Sequence, residues 1–358
     1  MQRIKNLIYF IFHSNKWLKG PSYFSNEKKH NIIYLFFYQI CHIIKYKGPN
    51  DFYWLYGFDV KNREERNKYV PYLPFRDQRN KLNNYGIFSS ILLLRNKDLF
   101  CAIAKYYGIP VLSNIGVYKE GNVRQPDGTM LCLKEVLEKN PDVFIKAIDS
   151  ECGHGVYHIV KEHDVIFCNG ELSNENDLVR ILGEGEYVIQ NTLKQHSELC
   201  RLYPNSVNTI RIVTVREENN VSIFSAELRI GTGGNCIDNL ATGGVAVGIN
   251  ELGFLNSYGI QKPPYGMITY SHPDTKIEYN GFRIPYYEDV ITLTKRFHSV
   301  LPNIHSIGWD VAISEYGPII VEGNDNWEIS GLQACNGGLT EKFNKYFSNE
   351  NNRISYKS

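Results

Sequence analysis

The sequence predicts an α+β fold, with a mainly helical N-terminal region followed by a body of antiparallel sheets and helices. Three observations carry that expectation. Apolar residues recur at helical spacing early in the chain, and no strand–helix–strand alternation occurs before residue 96. Later stretches alternate in period two around turn-forming residues, the mark of hairpins. Charge divides at the same place: of 39 Lys and Arg and 38 Asp and Glu, residues 1–96 hold 16 and 6, and the remainder 23 and 32. A basic, Tyr-rich leader (1–95) thus precedes a mildly acidic body, with a polar tail at 349–358.

In order, the spacing predicts a helix from Asn26 to Tyr46, with Ile33, Phe36, Phe37, Ile40 and Ile44 on one apolar face. A second helix is expected from Asp51 to Tyr69, ended by Pro71 and Pro74. Asn96 to Tyr107 reads as a helix stopped by Gly108-Ile109-Pro110. Strands are expected at Val143–Ala147, Val156–Val160 and Glu186–Gln190, with a helix at Asn174–Leu182. Val207–Val215 and Val221–Ile230 read as a hairpin, as do Gly308–Ser314 and Ile319–Glu322. A terminal helix runs from Leu339 to Phe347.

Hydrophobic residues make up 43% of the 358 and charged residues 22%, which excludes global disorder. The formal net charge of +1 argues against nucleic acid as a partner. Eight scattered Cys, with no Cys-x-x-Cys pair, read as reduced thiols in the cytoplasm. The apolar stretch near the N-terminus lacks a small-residue cleavage site. The run Ile32–Ile44 falls short of the roughly 20 residues of a bilayer span, and reads as a buried helix. Two readings fit the basic leader. It is a helical cap with solvated Lys and Arg, or a surface that makes peripheral contact with membrane headgroups or a lipid-linked glycan.

Three constellations carry chemistry. In the C-terminal hairpin, Asp310 can face Glu322 or Asn324 across the ladder, and period two puts Glu322 and Asn324 on one face. Such oxygen donors either hold a cation such as Mg²⁺ or are solvated strand ends. Lys146, on an apolar strand before the loop from Ser150 to Gly155, suits either a phosphate lid or a plain hairpin turn. Arg211 and Arg229 lie on central strands, each paired with a ligand anion or with a protein acid.

Taken in chain order, these pieces resemble the ATP-grasp superfamily, in its sugar-transfer-associated variety from bacterial surface-polysaccharide loci. The matching residues are Asn96-Lys97 opening the helix to Pro110, Lys146 with its loop, and Tyr187-Val188-Ile189-Gln190 with Gln195-His196. Then come Ser206 to Arg211, Arg229-Ile230-Gly231 with Ile237-Asp238-Asn239 and Gly243-Gly244, and last Asp310 with Glu322-x-Asn324. The resemblance implies two α+β subdomains, 96–190 bearing a lid and 191–348 bearing the metal and substrate sites, gripping ATP. It implies that Lys97 and Lys146 contact phosphates beneath the loop carrying Ser150, Gly153 and Gly155. The stretch Gln190, Asn191, Thr192 and Leu193 would be the hinge along adenine, and Glu198 or His196 would meet the ribose. Asp310, Glu322 and Asn324 would hold Mg²⁺, and Arg211 and Arg229, with Lys146, would be catalytic. The implied reaction is ligation of a small-molecule carboxylate to an amine or amino sugar through an acyl phosphate. One alternative is a phosphotransferase acting on a sugar hydroxyl. Another is a non-catalytic nucleotide-binding component of a glycan-assembly complex. Many such ligases carry an Arg two residues before the metal Asp, where this chain has Gly308.

Overall fold

The computed structural model describes residues 2–23, 30–83, 88–149, 155–218, 220–235, 238–262, 266–301 and 303–347. Its leader is helical: α1 (Gln2–His13), α2 (Asn15–Leu18), α3 (Ile32–Tyr46), α4 (Arg63–Asn67), α5 (Tyr72–Asn83) and α6 (Phe88–Arg95). The first lobe of the body opens with α7 (Lys97–Tyr106). It continues through β1 (Asn114–Lys119), β2 (Asn122–Arg124), β3 (Met130–Cys132), α8 (Leu133–Lys139) and β4 (Asp142–Ala147). β5 (Val156–Glu162), β6 (Val165–Cys168), β7 (Glu171–Ser173), α9 (Glu175–Leu182) and β8 (Glu186–Asn191) complete it. The second lobe holds α10 (Ser197–Leu202), β9 (Thr209–Glu217), β10 (Asn220–Ile230), β11 (Val245–Ile249), β12 (Leu255–Ile260) and β13 (Ile268–Thr269). α11 (Tyr287–Val300), β14 (Ser306–Ser314), β15 (Gly317–Asn324), α12 (Ile329–Asn336) and α13 (Thr340–Phe347) close the chain.

Each lobe is built on one antiparallel sheet. The first has the order β3-β2-β1-β8-β4-β5-β6-β7 and the second β13-β12-β11-β10-β9-β14-β15. A parallel bridge from Val111 to Ile320, with the Ile320 N–H donating to the Pro110 carbonyl at 3.0 Å, ties the start of the first lobe to the edge of the second. β9 and β14 are buried on both faces, which is why their sequences are nearly continuous runs of apolar and β-branched residues. Ile210, Ile212, Trp309 and Val311 point to one core with Phe297 of α11. Val213 and Val215 point to the other, with Trp327, Phe343 and Phe75 of the leader.

The leader is therefore packed against the body. Gln333 of α12 accepts from the Val70 N–H at 2.7 Å, and Asn83 bonds the Ser306 and Asp325 carbonyls. Two expectations need correction here. Residues 51–60 are turns rather than helix, and only Arg63–Asn67 is helical, nucleated by an Asn62–Glu65 capping box. Pro71 and Pro74 sit at the start of α5 instead of ending a helix, because the first turn needs no intrahelical N–H donors. α3 also presents its faces differently. It buries Leu35, Gln39, His42 and Ile43, while Ile33, Phe37 and Ile44 are exposed. Gln39 and His42 can be buried because their polar atoms reach Asn50 backbone groups and the Gly48 carbonyl.

Candidate active site

The register of the second sheet places four ionisable residues in one row. Glu227 of β10 pairs with Arg211 of β9, Arg211 with Asp310 of β14, and Asp310 with Glu322 of β15. Residues directly opposite share a face, so the row projects as one strip of minus, plus, minus, minus. It lies where the face lined by Val213 and Trp327 turns polar. Arg211 Nε and Nη2 donate to the two oxygens of Asp310 at 2.5 and 2.7 Å, a bidentate fork between nearly buried groups. Burial opposes charge on Asp310, but Arg211 and Arg229 more than offset it and hold the carboxyl well below its usual range. Arg229 donates from Nε to Glu227 at 3.1 Å, and its Nη1 stands 3.9 Å from Asp310.

The end of the row is electrostatically frustrated. Burial raises the Glu322 carboxyl, and Asp310 opposite raises it further. Asn324, two residues along the same strand, donates to Glu322 Oε1 at 3.0 Å. These are the three expected metal-ligating residues, and the structure brings them together. The donor set fits Mg²⁺: it is all oxygen, and a cation there would relieve the repulsion between the two acids. Asp310 spends two acceptor positions on Arg211 and keeps others, since a carboxylate has about four. Gly308 has a steric reason: a Cβ there would come within 2.5 Å of Trp327 Cβ, and Arg211 Cδ lies 3.5 Å away. Arg211, arriving from the neighbouring strand, occupies the ground beside that glycine.

The first lobe supplies the facing cations. Asn96 caps α7, its side chain accepting from Asp98 and Leu99 N–H groups at 3.0 Å. The Lys97 N–H donates to the Ile148 carbonyl, and its Nζ to the Ala147 carbonyl at 3.0 Å. Lys97 is thereby held against the end of β4, next to Lys146. Burial lowers the half-buried Lys146 ammonium, while Glu322 from the other lobe acts to raise it and Lys97 to lower it. Lys146 of one lobe and Glu322 of the other therefore interact across the cleft. Gly155 closes the far side of the loop. Its φ is +65°, and a Cβ would sit 2.9 Å from Ala147 Cβ. Ser150 and Gly153 lie outside the described residues.

The expected hinge divides. Gln190 is inside β8, hydrogen-bonded into the sheet on both sides, and its buried amide donates to Asn114 Oδ1 at 2.9 Å. Asn191 still pairs with Val143, and the Thr192 N–H donates to the Asp142 carbonyl at 3.3 Å. Leu193 and Lys194 follow where the chain leaves the sheet. His196 accepts from the Glu198 N–H at 3.1 Å and stands 3.6 Å from Glu315. The Glu198 carboxylate takes Arg201 at 2.7 Å in an exposed pair, a weak bond that a ligand hydroxyl can displace.

Two acids were given no role by the sequence reading, although Asp238 lies in a matching segment. Glu227, 1% exposed, anchors Arg229; its signal is the period-two spacing Glu227-Leu228-Arg229. Asp238 accepts from the Thr209 N–H at 2.9 Å and from its hydroxyl at 2.5 Å, and burial pushes it up to about 6. Nothing local in the sequence joins Asp238 to Thr209.

A family model described as sugar-transfer associated ATP-grasp matches residues 77–346. No curated protein matches the chain. Solved structures with similarity include an N5-carboxyaminoimidazole ribonucleotide synthetase in complex with ADP, at 10% identity and a TM-score of 0.40, over 66% of this chain and 46% of that one. D-alanyl-alanine synthetase A from Vibrio cholerae is 11% identical with a TM-score of 0.41, over 70% of this chain and 61% of its own. L-amino acid ligase from Bacillus licheniformis is 12% identical with a TM-score of 0.41, over 75% and 50%. The chain spans less than two thirds of each of these proteins.

Proposed function

Because this chain belongs to the sugar-transfer associated ATP-grasp family, we propose that it is an ATP- and Mg²⁺-dependent ligase acting in surface-polysaccharide or sugar modification. One observation carries the reading. Lys146 of one lobe, with Lys97 beside it, interacts electrostatically with Glu322 of the other, which is bonded to Asn324 and stands opposite Asp310. A polyphosphate with its divalent cation matches both sides, with the lysines toward phosphate oxygens and the carboxylates toward the cation.

In this reading the carboxylate oxygen of one substrate attacks the γ-phosphorus, and the bond to the β,γ-bridging oxygen breaks, giving an acyl phosphate and ADP. An amine then attacks the acyl carbon, phosphate leaves and an amide forms. Lys97 and Lys146 hold the phosphates in line and neutralise charge that builds up during transfer. Arg229 is the better cation for the acyl phosphate, because the Asp310 fork already engages Arg211. Arg211 acts through Asp310, fixing its orientation. Asp310, Glu322 and Asn324 would hold Mg²⁺, which would supply charge neutralisation to the polyphosphate. The Leu193–Lys194 backbone takes the adenine edge and Glu198 the ribose hydroxyls.

A screen for ADP release against paired carboxylates and amino sugars tests the proposal. Release that needs both partners supports it. Release with a sugar hydroxyl alone, with phosphate kept on the sugar, makes the protein a kinase. Tight Mg-ATP binding with no release for any pair makes it a non-catalytic nucleotide binder.

A further inference from the structure

The exposed side of α1 is apolar. Ile4, Ile8 and Ile11 recur along one face of the helix, exposed by 65%, 51% and 52%, and Phe12 beside them is 80% exposed. On α3, Ile33 and Phe37 are 66% and 60% exposed. These belong to one unit, because α1, α2 and α3 pack together through Phe10, Trp17 and Ile43. A chain that buries Gln39 and His42 while exposing this row of Ile and Phe has a surface that water alone does not explain.

We infer that the α1–α3 unit is a docking surface for an anionic lipid bilayer, lying in its interface. Charge selects the occupant. Among the described residues from 2 to 51, Arg3, Lys5, Lys16, Lys19, Lys45 and Lys47 are all exposed, against a single acid, Asp51, which accepts from Trp17 Nε1 at 2.7 Å. A second copy docking through this face in a two-fold dimer would bring the six cations against their own equivalents. An anionic headgroup layer instead pairs with them while the apolar row enters the acyl boundary. The acidic balance of residues 97–358 repels the same layer and turns the leader toward it. At 12 and 15 residues α1 and α3 lie on the membrane, and no described helix is long and apolar enough to cross it. Ile8, Phe12, Lys16 and Lys19 make no part of the cleft, so the test is independent of the proposed reaction.

Co-sedimentation of the full chain with vesicles tests the inference, using pure phosphatidylcholine against 30% phosphatidylserine. Each cation near an anionic surface changes partitioning about fivefold, so binding to the anionic vesicles should be at least tenfold tighter. It should fall at least tenfold in Lys16→Glu/Lys19→Glu and in Ile8→Asp/Phe12→Asp, with the melting temperature lowered by no more than about 2 °C, since all four side chains are exposed and the Lys16 contact over the Trp17 ring is worth about 0.5–1 kcal/mol. Equal binding to both vesicles, or undiminished binding by either variant, overturns the inference. So does a dimer in solution that Ile8→Asp/Phe12→Asp dissociates while neither vesicle is bound.

Discussion

Changing the two opposed carboxylates one at a time should move stability in opposite directions. Asp310→Asn takes the countercharge from Arg211, which is 7% exposed and commits two hydrogen bonds to it. Leaving a buried charge without its partner costs about 3–5 kcal/mol. Glu227 and Glu322 flank the same position and recover part of the loss, so the lower end, about 3 kcal/mol, is expected. At roughly 1–2 °C per kcal/mol for a chain of 358 residues, the melting temperature should fall by about 3–6 °C. Glu322→Gln removes the frustrated acid, and the new amide oxygen still accepts from Asn324. Relief of a directly opposed like-charge pair is worth up to about 1 kcal/mol, a rise of about 1–2 °C. The assay is thermal unfolding followed by tryptophan fluorescence in the absence of Mg²⁺ and nucleotide, since Trp309 and Trp327 sit on the two sides of this sheet. A loss under about 1 kcal/mol for Asp310→Asn, or a loss over about 1 kcal/mol for Glu322→Gln, would refute the reasoning.

Three further outcomes follow from the same geometry. Asn96→Ala removes the cap of α7 and should cost about 1 kcal/mol in urea unfolding, while weakening nucleotide binding through the displaced Lys97. Gly308→Ala forces a Cβ against Trp327 and should cost about 1–3 kcal/mol, so inserting the arginine common at this position would not restore a more typical ligase. Asp238, raised to about 6, binds its proton more tightly folded than unfolded. Its contribution to stability is full below about pH 4 and is lost as pH rises through about 6. The difference in stability between wild type and Asp238→Asn should therefore fall across that window by on the order of 1–2 kcal/mol; a flat difference contradicts the assignment.

The metal cluster is partly legible in the sequence: the hairpin brings β14 and β15 together, but the register running from Gly317 would set Asp310 opposite Val321, and a bulge between Asp310 and Val311 moves it opposite Glu322. The partner of Arg211 is not legible, because β9 and β14 meet across a separation of 99 residues, and only the sheet order pairs them. Hydrophobic spacing finds the apolar face of α3 but not its orientation. Satisfied hydrogen bonds let Gln39 and His42 turn inward, so Ile33 and Phe37 face out. β2, β3 and β7, at three residues each, are too short for alternation to register. The helix expected at 51–69 fails because aromatic packing among Tyr53, Tyr56, Phe58 and Tyr69 holds those residues in turns that no helical period describes. The lysines at 97 and 146 are visible as residues, but their approach depends on Lys97 bonding the end of β4.

The central claim is that a carboxylate attacks ATP to give an acyl phosphate in the cleft between the lobes. Positional isotope exchange in ATP labelled with ¹⁸O at the β,γ-bridge tests it most directly, with Mg²⁺ and a candidate carboxylate but no amine. Reversible acyl-phosphate formation should scramble the label, and Glu322→Gln should abolish the scrambling. Scrambling that needs a sugar hydroxyl and ignores the carboxylate, or that persists in Glu322→Gln, would contradict the account.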